Sequence, residues 1–140
     1  MIDARTIDWL VKLVTSFDEM GFAGKDFFYL IKTMLMEQRI SFNEMLSSAA
    51  QGVGTRVHEG LEFVLEEDLD HPDEFDGVVF VIGEYESSIL PIADYVYLIE
   101  LLCRSYLLEF PSEESRILAN LDRVRSRYFD ATNSSEPNEQ

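Results

Sequence analysis

The segment GVVFVIGEYESSIL, residues 77–90, decides the fold class because it interrupts a chain that is otherwise patterned for helices. Residues 77–82 are rich in β-branched side chains, which suit a pleated, buried strand. A turn within residues 83–86 lets residues 87–90 pair back as the second strand of a hairpin. The apolar segment at residues 60–66 also has the length of a strand. We therefore predict a small antiparallel sheet of about three strands.

Helical patterns precede these strands. Apolar residues recur every three or four positions from Ile7 to Phe17, which predicts one amphipathic helix. A second helix is predicted from residue 25 to residue 38, after a glycine-containing break. Ser41 and Glu44 have the spacing of a capping box and predict the start of a third, short helix.

Helical patterns also follow the strands. A wide apolar face predicts a helix over residues 91–109, and Pro91 suits its first turn. Ser112 is positioned to cap a final helix, on which we expect Leu118 to pack inward with its apolar neighbours. Helices, a small sheet and two more helices together predict an α+β fold.

The length and composition favour a single domain. The chain has 140 residues, of which 46% are hydrophobic, enough for one core. We predict one domain over residues 1–130. Residues 131–140 are polar, and we predict that this tail is disordered.

The net charge of −16 restricts the classes of partner. A protein this acidic is repelled by phosphate backbones and by anionic membrane surfaces. We therefore expect no direct binding of nucleic acid or membrane, and we expect a basic protein as partner. The chain has no signal-peptide pattern and no apolar run of membrane-spanning length, so the expected location is cytoplasmic.

Several kinds of site are excluded by the residue types. The single cysteine, Cys103, lies on an apolar helical face and is expected to be buried rather than nucleophilic. One cysteine and two histidines, His58 and His71, cannot build a Cys/His zinc site. A calcium loop that begins at Asp68 would place Pro72 at a ligand position. We predict no catalytic residues, no metal site and no cofactor.

The negative charge is concentrated in one part of the chain. Between Val57 and Cys103 there are thirteen acidic residues and no Lys or Arg, and eleven of the acids fall between residues 59 and 86. Ten of these acids, on the predicted strands and their connecting loops, are the candidate binding residues: Glu62, Glu66, Glu67, Asp68, Asp70, Asp73, Glu74, Asp76, Glu84 and Glu86.

Three interpretations of this acidic segment remain open. A solvated acidic face would serve solubility alone. A docking surface for a strongly basic partner would use the same carboxylates to steer association. Loose binding of Ca²⁺ or Mg²⁺ is the third interpretation. Crowded like charges repel within the Debye length of about 8 Å, so the clustering has a cost in stability.

The C-terminal part of the chain resembles a known family. Residues 77–84, residues 87–91, a helix with Tyr95 and Tyr106, and Pro111 before a final helix resemble the immunity proteins of contact-dependent growth inhibition systems. The similarity is greatest to those paired with ribonuclease toxins, and it covers residues 75–128.

The resemblance implies a small antidote that binds the C-terminal nuclease domain of a toxin and blocks its active site. A ribonuclease cleft that holds a polyanion is lined with Lys and Arg, and carboxylates can occupy the positions of phosphates. On this hypothesis the ten candidate residues contact the toxin. Two alternatives are an acidic adaptor for a basic non-toxin protein and a metal-dependent enzyme that uses paired carboxylates such as Glu62 and Glu66.

Overall fold

The computed structural model describes residues 4–128. It confirms the α+β class: N-terminal helices are followed by an antiparallel sheet and then by C-terminal helices. The predicted disordered tail, residues 131–140, lies outside the described residues. The helices are α1 (Ala4–Val11), α2 (Val14–Asp18), α3 (Gly21–Glu37), α4 (Phe42–Ala50), α5 (Ile92–Glu109) and α6 (Glu114–Arg127). The strands are β1 (Arg56–His58), β2 (Leu61–Val64), β3 (Val78–Ile82) and β4 (Tyr85–Leu90).

The N-terminal helices differ from the prediction in two places. The helix expected from Ile7 to Phe17 is interrupted at residues 12–13, so that α1 and α2 are separate. Helix α3 begins at Gly21 rather than at residue 25, and Gly24 lies inside it. A Cβ atom on Gly24 would lie 2.0 Å from the carbonyl oxygen of Phe17. Gly24 therefore lets two helices pack closely rather than ending one of them.

The predicted start of α4 is confirmed. The Ser41 side chain accepts a hydrogen bond from the Glu44 backbone N–H, and the Glu44 side chain accepts one from the Ser41 N–H. This reciprocal pair satisfies two backbone donors that the first helical turn leaves without partners.

The sheet contains four strands within the described residues, in the order β1-β2-β3-β4, and every pairing is antiparallel. The prediction of about three strands omitted β1. This strand has three residues, only Val57 is buried, and its pairing with β2 is irregular. The hairpin turn lies at residues 83–84, and the second strand starts at Tyr85, two residues earlier than predicted.

The core lies between one face of the sheet and the helices. Phe63 of β2 and Phe80 of β3 point into it and contact each other and Phe27 of α3. Phe63 also contacts Tyr95 of α5, and all these ring centroids lie 5.4–5.8 Å apart. All four side chains are at most 2% exposed. Aromatic rings at these separations add stability beyond the area that they bury.

The C-terminal helices correct two further predictions. Ser112 does not cap α6, because it lies in a short 3-10 turn (Pro111–Glu113) and α6 begins at Glu114 without a side-chain cap. Leu118 is 40% exposed rather than packed inward. None of the helices within residues 4–128 combines the length and the apolar character that a membrane crossing needs.

Candidate functional site

The two faces of the sheet have different surroundings. The inner face, which carries Phe63 and Phe80, packs against the core. The opposite face is called the outer sheet face, and its residues are not part of the core or packed against it. It consists of Arg56, Glu62, Val64, Val79, Val81, Glu86 and Ile89, as the alternation of side chains and the pairing register require.

The strand register arranges the outer sheet face in two rows. Val64 lies opposite Val79, which lies opposite Ile89, and these three residues are called the apolar row. The next row contains Glu62, Val81 and Glu86 and is called the acidic row, and Arg56 of β1 lies at its end, opposite Glu62. Directly opposed residues in neighbouring strands have Cβ atoms about 5 Å apart, so each row is contiguous.

Ile89 is the most exposed member of the apolar row. Its side chain is 57% exposed, and it leans over Gly77 at the start of β3, where an added Cβ would lie 2.6 Å from Ile89 Cγ2. Val64 and Val79 are half-buried between their neighbours. A groove of about 390 Å³ continues from Val64 and Glu62 toward Arg56 and Asp68.

Glu66, one of the ten candidates, is engaged within the fold. Its carboxylate accepts hydrogen bonds from Arg127 Nη1 at 2.5 Å and from the Tyr128 hydroxyl at 2.6 Å, and its side chain is 13% exposed. Gly52, at φ +81°, makes room for this ion pair, because an added Cβ would lie within 2.6 Å of both partners. Burial, and then the hydrogen bond to Glu66, raises the pKa of Tyr128.

Asp68 is also used within the fold. Its Oδ2 atom accepts hydrogen bonds from the backbone N–H groups of Gly54 at 2.7 Å and Leu65 at 2.9 Å. This carboxylate therefore joins the segment before β1 to the end of β2. The Glu67 carboxylate lies 3.8 Å from Arg127 and is half-exposed, so it lies at the edge of the ion pair between Glu66 and Arg127.

The other seven candidate residues make no side-chain hydrogen bond or ion pair with any residue from 4 to 128. Two lie in the acidic row, one lies at the β3–β4 turn, and four lie in the loop between β2 and β3. They are Glu62, Glu86, Glu84, Asp70, Asp73, Glu74 and Asp76. All except Glu62, which is half-buried, are exposed. The structure thus divides the ten candidates into two groups. The anchored group, Glu66, Glu67 and Asp68, is bonded within the fold, and the open group consists of the seven residues just named.

Another acidic residue of the segment without Lys or Arg, residues 57–103, forms ion pairs within the fold. Glu100 on α5 accepts hydrogen bonds from Arg104 and from Arg125 of α6. The hydrogen bond from Arg125 is the largest cause that lowers the pKa of Glu100. This carboxylate joins α5 to α6 and, like Glu66, is engaged within the fold.

Two observations concern metal-binding and nucleophilic side chains. The described part of the chain contains no cluster of three or more His, Cys, Asp or Glu side chains arranged to hold a metal ion. Cys103 is fully buried, as predicted, and burial raises the pKa of its thiol to about 12. A thiol with this pKa is protonated and enclosed at neutral pH.

Sequence reasoning missed the apolar row. The pattern of residues 77–82 predicts a buried strand, whereas Val79 of that strand and Val64 of β2 point outward from a sheet with one open face. The signal was present in β2, where Glu62 sits between the buried residues Leu61 and Phe63. This alternation is typical of an antiparallel sheet that is covered on one side only.

In comparisons of this chain with protein-family models, curated proteins and solved structures, none was found to match.

Proposed function

We propose that this protein is an antidote that binds a basic nuclease toxin domain, a ribonuclease by the resemblance of residues 75–128, and occludes its active site with carboxylates. One observation carries the proposal: seven of the ten candidate carboxylates have neither a side-chain hydrogen bond nor an ion pair with any residue from 4 to 128. The anchored residues Glu66 and Asp68 are excluded from the proposed contact surface.

Physical chemistry supports a basic partner. Carboxylates without ion-pair partners repel one another when they lie within about the Debye length, so their clustering reduces the stability of an isolated protein. A partner that brings Lys and Arg side chains to these carboxylates relieves the repulsion and gains charge-assisted hydrogen bonds. Close interfacial charge pairs have coupling free energies of about 1.5–7 kcal/mol in measured complexes. Carboxylates can thus compete with a phosphate backbone for the same cationic cleft.

The test uses the C-terminal nuclease domain of a toxin encoded immediately upstream of this gene. Co-expression of the antidote should protect cells from that domain, and the purified proteins should associate at a rate that falls steeply with salt. The charge-reversed variant carries Asp70→Lys, Asp73→Lys and Glu74→Lys, and it should associate at least tenfold more slowly. Glu66 is left intact because it stabilises the fold.

The matched control reverses three exposed acids on or next to the N-terminal helices, Asp8→Lys, Asp18→Lys and Glu19→Lys, which changes the net charge by the same amount. An equal loss in both variants would mean that only the total charge matters. Absence of a toxin gene, with binding to a basic protein of another kind, would favour the adaptor function instead.

A further inference from the structure

The outer sheet face lacks a partner within residues 4–128. Helix α3 contacts all four strands, and it does so from the inner face, where Phe27 meets Phe63 and Phe80. An antiparallel sheet with one face in water normally carries polar residues on that face. Here the outward positions of β3 are valines, Val79 and Val81, and neither belongs to the core.

The apolar row lies between two groups of open carboxylates. On one side, the acidic row lies two residues away along β2 and β3, a distance of about 7 Å, and three residues away along β4, where the register shifts. Glu84 lies beyond this row, at the hairpin turn. On the other side, residues 65–77 join the ends of β2 and β3 beside the row and carry the four open acids of the loop. An apolar row with carboxylates on both sides has the composition of an interface, which has an apolar centre and a charged rim.

We propose that the outer sheet face is the docking surface for the basic nuclease domain, with Ile89 and its row as the apolar anchor and Glu62 and Glu86 as the adjacent charged contacts. This inference rests on the proposed function, since the partner is the same. Because carboxylates flank its apolar row, this surface is complementary to a partner that presents apolar side chains flanked by Lys or Arg.

The two parts of this surface have separable kinetic roles. Charges at the rim act over distance and mainly change the association rate and its dependence on salt. Apolar anchors at the centre act only after contact and mainly change the dissociation rate. The apolar row should therefore control how long the complex lasts, while the loop acids control how fast it forms.

The experiment measures association and dissociation rates of full-length variants with the upstream-encoded nuclease domain. Ile89→Arg places a cation and a longer side chain against a basic partner and should increase the dissociation rate at least 100-fold. Ile89→Thr keeps a β-branched residue in the strand and should increase it about tenfold. The control is Leu108→Arg on α5, where the native side chain is 74% exposed, and it should leave both rates unchanged. Circular dichroism and thermal unfolding verify that each variant is folded.

The outcomes separate the two proposals. If wild-type protein binds the nuclease and both Ile89 variants bind equally well, the docking surface is wrong and the proposed function stands. If wild-type protein does not bind the nuclease at all, the proposed function is wrong and this inference fails with it. An equal increase in the dissociation rate with Leu108→Arg would also overturn the assignment of the outer sheet face as the docking surface. If Ile89→Arg does not fold, Ile89→Thr alone decides the result.

Discussion

Two neighbouring groups of carboxylates in one acidic segment differ in their contacts: one group is hydrogen-bonded within the fold, and the other has no such partner among residues 4–128. Glu66 and Asp68 accept hydrogen bonds from Arg127, Tyr128 and backbone N–H groups, and they connect the sheet to α6 and to the segment before β1. Four acids of residues 70–76 carry the same kind of side chain but have no such partner within residues 4–128: Asp70, Asp73, Glu74 and Asp76. The comparison shows that the density of charge along a chain does not distinguish structural carboxylates from available ones.

The difference arises from what each residue faces. Glu66 lies two residues after β2, where the end of α6 supplies a cation and a buried hydroxyl. Asp73 lies in an exposed turn that projects from the same end of the sheet. A carboxylate that is partly removed from water requires partners, whereas an exposed one retains its hydration. The following predictions test this division, beginning with the largest expected effect.

Glu66→Ala should lower the free energy of unfolding by about 2–3 kcal/mol, because it removes two charge-assisted hydrogen bonds and leaves Arg127 and the Tyr128 hydroxyl without their acceptor. Urea denaturation measures this change. The control is Glu67→Ala, the adjacent and half-exposed acid, which should cost less than about 0.5 kcal/mol. Similar losses at both positions would remove the distinction between anchored and exposed acids.

Asp68→Ala should lower the free energy of unfolding by about 1–2 kcal/mol, since one side-chain oxygen satisfies two backbone donors, as in a helix cap. Amide hydrogen exchange should also become faster at Gly54 and Leu65. Asp70→Ala, two residues away and exposed, is the matched control and should leave both measurements unchanged. The interpretation of Asp68 fails if the two variants are equally stable.

Glu100→Gln tests an anchored acid outside the sheet and should cost about 1 kcal/mol at pH 7. The pKa of Glu100 is lower in the folded protein than in the unfolded chain, so its stabilisation is complete above the unfolded value near 4.5. That stabilisation is lost as the pH falls through the folded pKa. The difference between wild type and variant should therefore shrink below about pH 4. Thermal unfolding between pH 3 and 7 measures it, and a constant difference would contradict the assignment.

The double variant Asp73→Asn, Glu74→Gln should be slightly more stable than wild type, by less than about 0.5 kcal/mol, because it removes repulsion among the open acids. The gain should vanish at 1 M salt, where the Debye length is about 3 Å. The same variant should associate more slowly with the nuclease domain. A clear loss of stability would show that these two acids belong to the anchored group after all.

The sequence predicted local features well where neighbouring residues decide them. The capping box of Ser41 and Glu44 and the buried Cys103 were recognisable from spacing alone. Strand β1 was not recognisable, because three residues are too few to show an alternating pattern. These residues form a strand only through their pairing with β2. Gly24 was misinterpreted as a helix breaker, since only the packed structure shows that its missing Cβ makes room for the carbonyl oxygen of Phe17.

Composition and periodicity were sufficient to determine the α+β class, the strongly acidic segment and most of the helices, because these depend on residue types and on spacing within a few turns. The tertiary structure alone decided which carboxylates are bonded and which are open. It also decided that three aliphatic residues from three strands form one outward-facing row. Both properties depend on contacts between residues far apart in the chain: Glu66 and Arg127 are separated by 61 positions but joined by one hydrogen bond.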